Sequence, residues 1–198
     1  AGQSQIAIVF VNQPLREGMD APTLDLPNPQ DALVDAVVAA NPRTIVVVES
    51  GGPVAMPWAS KVQGILEAWY PGIGGAQSLA NILFGEVNPS ARLAITFPQS
   101  DDQLPHPQVP GMNLLHPNGN PNPAHHRMGE LPPFNADYNV EGVRVGYKWF
   151  ESKNLKPLFP FGFGLSYTSY AFSDLNMDAA THTVTLTVRN TGDRAGAE

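Results

Sequence analysis

The sequence lacks cysteine altogether, so the protein has neither a disulfide framework nor a thiolate metal site. Basic residues are scarce: 11 lysines and arginines stand against 18 acidic residues, which gives a net charge of −7 at pH 7. They form no cluster, and an acidic surface repels phosphate backbones, so we expect no nucleic-acid partner. No apolar run approaches the length of about 18 residues that a membrane span needs, so we expect no membrane partner.

An N-terminal targeting signal of charged, apolar and small residues is also missing. Residues 1–4 lead almost directly into an apolar run at residues 6–11. We therefore expect the chain to begin in the middle of a larger protein, with any targeting segment upstream of it.

Short apolar runs and helix patterns alternate through the first half of the chain. The runs are short and almost continuous, which predicts strands that are buried on both faces, as in a parallel sheet. These predicted strands cover residues 6–11, 45–48, 65–69 and 92–97. Predicted helices cover residues 32–40 and 76–84, with a short one at 58–62. Asn28 is the predicted cap of the first helix and Pro29 its first residue. The alternation predicts an α/β fold, a three-layer α/β/α sandwich around a mainly parallel sheet.

Proline changes the pattern after residue 97. Nine prolines lie between residues 98 and 133, and proline donates no backbone hydrogen bond, so residues 98–137 are predicted to form a long loop. The loop contains His125 and His126, but adjacent histidines rarely converge on one ion, and we expect no metal site. Residues 183–188 alternate with period two, which predicts a half-buried antiparallel strand. We therefore expect the chain to end in a truncated β segment.

Candidate functional residues follow three of the predicted strands. Ligands of parallel sheets bind at the carboxyl ends of the strands. The loops there hold acidic and aromatic residues, namely Glu17, Asp20, Glu49, Trp69 and Tyr70. Carboxylates beside aromatic rings are typical of a sugar site. Each residue type also has a structural explanation: aromatic rings at a strand end can be packing, strand glutamates such as Glu67 can be ion-paired, and Glu17 can be a solvated loop acid.

Motifs for other chemistries are missing or incomplete. The sequence has no G-x-S-x-G nucleophile elbow and no phosphate-binding P-loop. The glycines at residues 72–75 and 162–164 fall short of the G-x-G-x-x-G dinucleotide fingerprint. We expect no cofactor.

Five longer segments carry a specific combination of motifs. They are GGPVAMPW at 51–58, LEAWYPG at 66–72, LFGEVNPSARL at 83–93, EGVRVGYKWF at 141–150 and PLFPFGFGLSYT at 157–168. Together they resemble the C-terminal α/β sandwich of family 3 glycoside hydrolases. The resemblance spans essentially the whole chain, and the proline-rich loop is its least constrained part.

The resemblance implies a three-part enzyme, with an N-terminal (β/α)8 barrel, this sandwich at residues 1–167 and a fibronectin type III-like domain that begins at residues 168–198. In the family the nucleophilic aspartate lies on the barrel, and the acid/base glutamate lies on a sandwich loop in an E-G-x-D-like segment. Residues 16–20, REGMD, fill that place and make Glu17 the acid/base candidate. Arg16, Asp20, Trp69 and Tyr70 are the substrate-binding candidates. Arg16 and Met19 depart from the glycine and tyrosine of many members.

The implied function is that of a retaining β-glucosidase acting on terminal β-D-glucosyl residues of oligosaccharides or glycosides. The expected partners are that substrate and the N-terminal barrel of the same enzyme. A second copy of the chain, in a homodimer, is a further candidate partner. The expected location is periplasmic or secreted. Two alternatives remain: a sugar-binding or dimerisation module without chemistry, and a nucleotide-binding α/β domain suggested only by analogy of fold. By itself, the 198-residue chain is expected to be inactive.

Overall fold

A computed structural model describes residues 1–15, 21, 23–27, 29–108 and 137–198. Its centre is a three-stranded parallel sheet in the order β1-β2-β3. The strands are β1 (Ala7–Gln13), β2 (Thr44–Ser50) and β3 (Gly64–Glu67). The apolar, β-branched character of the first two runs suits the pleated, buried surface that they form. The predicted parallel sheet is confirmed.

Helices lie on both faces of this sheet. Helix α1 (Gln30–Ala40) packs through Val34 onto the face that carries Val9 of β1. Helix α2 (Gly75–Leu83) lies against the other face, where Leu79 lines a cavity together with Phe10. Since neighbouring strand residues point to opposite faces, the two helices enclose the sheet from both sides. The predicted three-layer α/β/α architecture is confirmed.

The ends of α1 follow local backbone chemistry. Pro29 immediately precedes the helix instead of opening it, so its predicted place is wrong by one residue, and Asn28 lies outside the described residues. The helix stops at Asn41, ahead of Pro42, as the sequence predicts. The Asn41 side chain then accepts a hydrogen bond from the Arg43 N–H at 2.9 Å, which turns the chain into β2.

Strand β1 is buried on one face only, so the prediction of burial on both faces is wrong for it. Val9 and Val11 are 7% and 1% exposed, whereas Ile8 and Phe10 are 43% and 52% exposed. The reason is position: β1 lies at the edge of the described sheet, and the nine-residue helix α2 covers only part of its outer face. The central strand β2 has neighbours on both sides and is buried on both faces.

The predicted strand at residues 92–97 does not form. Instead, this segment makes isolated backbone hydrogen bonds with residues 158–163, including Leu93 N–H to Phe163 O at 2.8 Å and Phe97 N–H to Phe159 O at 2.9 Å. Its partner contains Pro160 and Gly162, which interrupt a regular ladder. The apolar residues are nevertheless used, because Phe97 is buried in the core.

The remaining elements lie outside the parallel sheet. Helix α3 (Tyr147–Lys153) buries Trp149 and Phe150, and single 3-10 turns occupy Ala59–Lys61 and Asp101–Gln103. Within the described ranges, none of the helices has the length and apolar character that crossing a membrane requires.

Strands β4 (Tyr170–Asp178) and β5 (Thr183–Asn190) pair as an antiparallel hairpin. The predicted antiparallel strand is therefore confirmed, but its predicted half-burial is wrong, since every residue of β5 is exposed. Period-two alternation produces a buried face only where a second layer covers it, and no described residue supplies that layer.

Replacing Val34 with alanine tests the packing of α1. Val34 is fully buried between α1 and the sheet, so we expect Val34→Ala to lower the free energy of unfolding by about 2 kcal/mol. Leu33→Ala is the matched control, because Leu33 is exposed on the same helix and should change stability by less than about 0.5 kcal/mol. Urea unfolding of the intact protein, followed by circular dichroism, measures both. Equal losses would contradict this packing.

Candidate active site

Three chain segments leave the parallel sheet at the same edge. Gln13, at the end of β1, pairs in register with Ser50 at the end of β2, and Glu67 of β3 pairs with Val48. The carboxyl ends of the strands therefore lie side by side, as the sequence predicts. The first described residues after them are Pro14 and Leu15, Gly51 and Gly52, and Ala68 to Tyr70.

Tyr70 connects the end of β3 to the end of β1. Its hydroxyl donates a hydrogen bond to the Gln13 carbonyl oxygen at 2.6 Å and accepts one from the Leu15 N–H at 2.7 Å. The ring crosses close to Gly51, where an added Cβ would come within 3.0 Å of Cε2 and 3.1 Å of the hydroxyl oxygen. Tyr70 remains 52% exposed, so ring surface stays accessible while the hydroxyl is engaged.

Trp69 has an unusual backbone conformation for a bulky residue. Its φ of 53° lies in the left-handed region, which few residues other than glycine adopt. The Trp69 N–H donates a hydrogen bond to Glu67 Oε1 at 2.9 Å, which stabilises this turn. The indole ring packs against Phe97, with ring centroids 6.1 Å apart. The turn after β3 is thus held by a carboxylate on one side and by aromatic packing on the other.

Glu67 is a partly buried carboxyl group without an ion-pair partner among the described residues. Its Oε1 also lies 3.3 Å from the Ser50 hydroxyl, and Oε2 has no hydrogen-bond partner in the described part of the chain. Burial raises the pKa of Glu67 to about 7, against the opposing effect of the hydrogen bonds from Trp69 and Ser50. The structural ion pair suggested for this strand glutamate finds no support there.

Glu49 lies on the opposite face of the sheet from Glu67. It follows Val48, which pairs with Glu67, and it lines the cavity between Phe10 and helix α2. The two strand glutamates therefore do not form a pair of carboxylates. Among the described residues, neither Glu49 nor Glu67 forms a salt bridge, and the two do not share a site.

Arg16, Glu17 and Asp20 lie outside the described residues, so of the five candidates the structure brings together only Trp69 and Tyr70. The Glu17 segment, residues 14–22, is nevertheless framed at both ends. At its start, the Tyr70 hydroxyl accepts a hydrogen bond from the Leu15 N–H; after its end, Asp101 accepts hydrogen bonds from the Thr23 hydroxyl at 2.6 Å and the Leu24 N–H at 2.9 Å.

Several of these supporting residues escaped the sequence analysis. The Gln30 side chain both donates to and accepts from the Asn12 backbone, at 2.8 Å and 2.7 Å. Asp101 belongs to the proline-rich stretch, for which no role was predicted. The only sequence signal for either is a polar side chain beside a helix start, which is too common to identify a contact with a distant loop.

The chemistry of the described residues is that of proton transfer and hydrogen bonding. In the described ranges, no three histidine or acidic side chains converge as metal ligands would. His125 and His126 lie outside those ranges. The described residues at this edge offer the Glu67 carboxyl group with its raised pKa and the hydroxyl groups of Ser50 and Tyr70. The aromatic rings of Trp69 and Tyr70 lie there as well.

The raised pKa of Glu67 predicts a pH-dependent stability. The folded state keeps the proton up to about pH 7, whereas the unfolded chain releases it near pH 4.5. The stabilisation that Glu67 adds to the free energy of unfolding is therefore full below pH 4.5, and it is lost as the pH rises through about 7. We expect the unfolding free energy of the unmodified protein to fall over this window relative to Glu67→Gln, by on the order of 2 kcal/mol, because partial solvent access weakens the effect.

Urea unfolding at about pH 4, 5, 6, 7 and 8 measures this difference. Glutamine keeps an oxygen for the Trp69 N–H, so it removes the titration but not the turn. Glu86→Gln, at an exposed position, controls for the change of charge. Parallel stability curves for the unmodified protein and Glu67→Gln would contradict the raised pKa.

Comparison with known proteins places this domain in a family. The model of the glycosyl hydrolase family 3 C-terminal domain matches residues 1–167. A β-glucosidase of Rhizobium radiobacter is 38% identical over 195 residues, which cover 92% of this chain and 21% of the relative. Thermostable β-glucosidase B of Acetivibrio thermocellus is 38% identical over 210 residues, 100% of this chain and 25% of the relative.

Solved structures agree with the sequence relatives. DesR, a β-glucosidase from Streptomyces venezuelae crystallised with D-glucose, is 40% identical with a TM-score of 0.77, over 98% of this chain and 23% of that one. A β-glucosidase from Kluyveromyces marxianus in complex with glucose is 29% identical with a TM-score of 0.78, and the match covers 98% of this chain and 21% of that one. The chain thus spans about a fifth to a quarter of these relatives. It belongs to glycosyl hydrolase family 3, in the C-terminal domain of that family.

Proposed function

We propose that this chain is part of a retaining β-glucosidase that hydrolyses terminal β-D-glucosyl residues of oligosaccharides or glycosides. Glu17 is its general acid/base, and the nucleophilic aspartate belongs to an N-terminal barrel of the same protein. The observation that carries the proposal is the family match over residues 1–167, with relatives that are β-glucosidases. Two of the similar structures hold glucose.

The reaction needs two carboxyl groups about 5–5.5 Å apart on either side of the scissile bond. One attacks the anomeric carbon while the other protonates the leaving oxygen, which breaks the glycosidic bond and leaves a glycosyl-enzyme ester. The second group, now a carboxylate, takes a proton from water as the water oxygen attacks the anomeric carbon; the ester bond to the nucleophile breaks, and the nucleophile leaves as a carboxylate. In the proposed enzyme Glu17 performs both proton transfers.

The position of Glu17 in the sequence supports this role. It follows β1 by four residues, and β1 ends at the edge where the three loops begin. A general acid must hold its proton near neutral pH, which requires a pKa raised by burial or by a neighbouring negative charge. Docking of the barrel with its nucleophilic aspartate would supply both influences. The acid is therefore active only in the intact protein.

The remaining candidates are proposed to bind the sugar. The accessible ring surface of Tyr70 and the partly buried indole of Trp69 suit the apolar C–H faces of a glucosyl unit. Arg16 and Asp20 offer a cation and a carboxylate for the sugar hydroxyls. We also propose that residues 168–198 begin a fibronectin type III-like domain, supported by the β4–β5 hairpin, and that the enzyme is periplasmic or secreted.

A dimerisation module without chemistry is the second candidate. It is favoured by one observation, the exposed apolar residues Ile8, Phe10 and Phe84, which line one cavity beside α2. Light scattering and a glucoside hydrolysis assay, both on the intact protein, separate the candidates, since a dimer that hydrolyses no glucoside would support the module.

Glu17→Ala tests the proposed acid/base in the intact enzyme. Alkyl glucosides depend fully on protonation of the leaving oxygen, so their kcat/KM should fall by about 10²–10⁴. A 2,4-dinitrophenyl glucoside has a leaving group that needs little proton assistance, so its glycosylation should be far less affected. Azide, an anion that requires no deprotonation, should restore turnover of the aryl substrate by forming a glycosyl azide.

Glu86→Ala is the matched control, because Glu86 is an exposed acid outside the 14–22 segment. Its kinetics should follow those of the unmodified enzyme on both substrates. If Glu17→Ala left alkyl glucoside turnover unchanged, or lowered both substrates equally without azide rescue, Glu17 would not be the acid/base.

A further inference from the structure

The side chain of Asn88 binds two stretches of chain that are distant from it in sequence. Its Oδ1 accepts hydrogen bonds from the Tyr167 N–H at 2.7 Å and the Ser166 hydroxyl at 2.9 Å. Its Nδ2 donates to the Ala195 carbonyl oxygen at 3.0 Å. The first stretch lies just before β4 and the second just after β5. We propose that Asn88 is the residue that attaches the β4–β5 hairpin to the sandwich and fixes its orientation there.

The hairpin depends on such an attachment because its own strands bury very little. Every residue of β5 is exposed, and in β4 only Tyr170 is partly buried. A two-stranded hairpin by itself is at best marginally stable in water. In the part of the chain that the structure describes, polar contacts with the sandwich must therefore provide what apolar burial does not.

The stretch that enters the hairpin is bound at two points of one residue. The Tyr167 N–H donates to Asn88, and the Tyr167 hydroxyl donates to the Ile82 carbonyl oxygen of α2 at 2.8 Å. Two anchors on one residue fix its direction as well as its position. The Arg194 guanidinium lies over the Tyr167 ring, 5.9 Å from the centroid, so the returning stretch meets the same residue.

The stretch that returns from the hairpin is shaped by a second amide, that of Asn190 at the end of β5. Its Nδ2 donates to the Arg194 carbonyl oxygen at 2.7 Å, and its Oδ1 accepts from the Gly192 N–H at 3.0 Å. These bonds turn residues 190–194 back on themselves. The next residue, Ala195, then directs its carbonyl oxygen to the sandwich. One amide on the hairpin thus forms the turn, and one amide on the sandwich binds it.

The contact is close enough to require glycine at position 196. An added Cβ at Gly196 would come within 2.6 Å of Asn88 Nδ2 and 3.1 Å of Thr168 Cγ2. A neighbour of this size has no room between the returning stretch and the amide, so the chain must lack a side chain there. Gly196→Ala therefore breaks the returning contact without changing the sandwich.

Asn88→Ala tests the attachment, because it removes all three hydrogen bonds. We expect the backbone amides of residues 166–170 and 190–196 to exchange about 10–100-fold faster, while exchange in β1 and β2 stays unchanged. Hydrogen–deuterium exchange of the intact protein, read by mass spectrometry on overlapping peptides, measures both. Asn81→Ala is the matched control: Asn81 is also partly buried, but its side chain binds Gln77 of the same helix at 2.7 Å.

Asn88→Asp separates the two halves of the attachment. It keeps an oxygen for the Ser166 hydroxyl and the Tyr167 N–H, but it puts an acceptor opposite the Ala195 carbonyl oxygen. Exchange should therefore rise at residues 190–196 and change by less than about 3-fold at 166–170. Gly196→Ala should give the same pattern, and it carries the test if the Asn88 variants do not fold. Since both changes break one interaction, the double variant should exchange no faster than the faster single variant.

The expected outcome is faster exchange confined to these two stretches. If Asn88→Ala altered neither stretch, or if Asn81→Ala accelerated them equally, Asn88 would not be the attachment. Faster exchange throughout β1 and β2 would also overturn the inference, because the loss would then be one of general stability. Exchange at residues 190–196 that stayed unchanged in Gly196→Ala would contradict the returning contact.

Discussion

The parallel register of the three strands is the constraint on which this edge of the domain depends. Pairing Gln13 with Ser50, and Val48 with Glu67, makes three chain segments leave the sheet together and in the same direction. Buried backbone groups at these exits need hydrogen-bond partners. The Ala68 N–H after β3 still donates to the Val48 carbonyl oxygen of β2 at 2.8 Å, whereas the Tyr70 hydroxyl serves two groups of the β1 exit.

A partly buried carboxyl at this position is costly unless it satisfies neighbouring donors. Glu67 does this for the Trp69 N–H and lies beside the Ser50 hydroxyl. The turn at Trp69 is itself unfavourable for a bulky residue, so the carboxylate and the turn stabilise each other. Together they explain why an acid that no ion pair supports among the described residues occurs at the end of a core strand.

The sequence predicted those features of the structure that depend on a local pattern, and it missed those that depend on neighbouring elements. The valine run of β2, the helix α2 and the shared edge of the loops follow from local patterns, and these predictions are confirmed. The exposed face of β1, the missing strand at residues 92–97 and the exposed β5 depend on which elements lie beside them. The bond from Tyr70 to Leu15 joins residues 55 positions apart, so no local pattern contains it.

The division of the active site between two domains explains why such a contact matters in the proposed enzyme. If the nucleophile belongs to the barrel and the acid to this domain, no chain connectivity sets the distance between the two carboxyl groups. A retaining mechanism nevertheless requires them about 5–5.5 Å apart. Each domain must therefore hold its own group firmly before the two meet. On the described side of that requirement, Tyr70 binds the backbone at Gln13 and Leu15, and Asp101 binds Thr23 and Leu24.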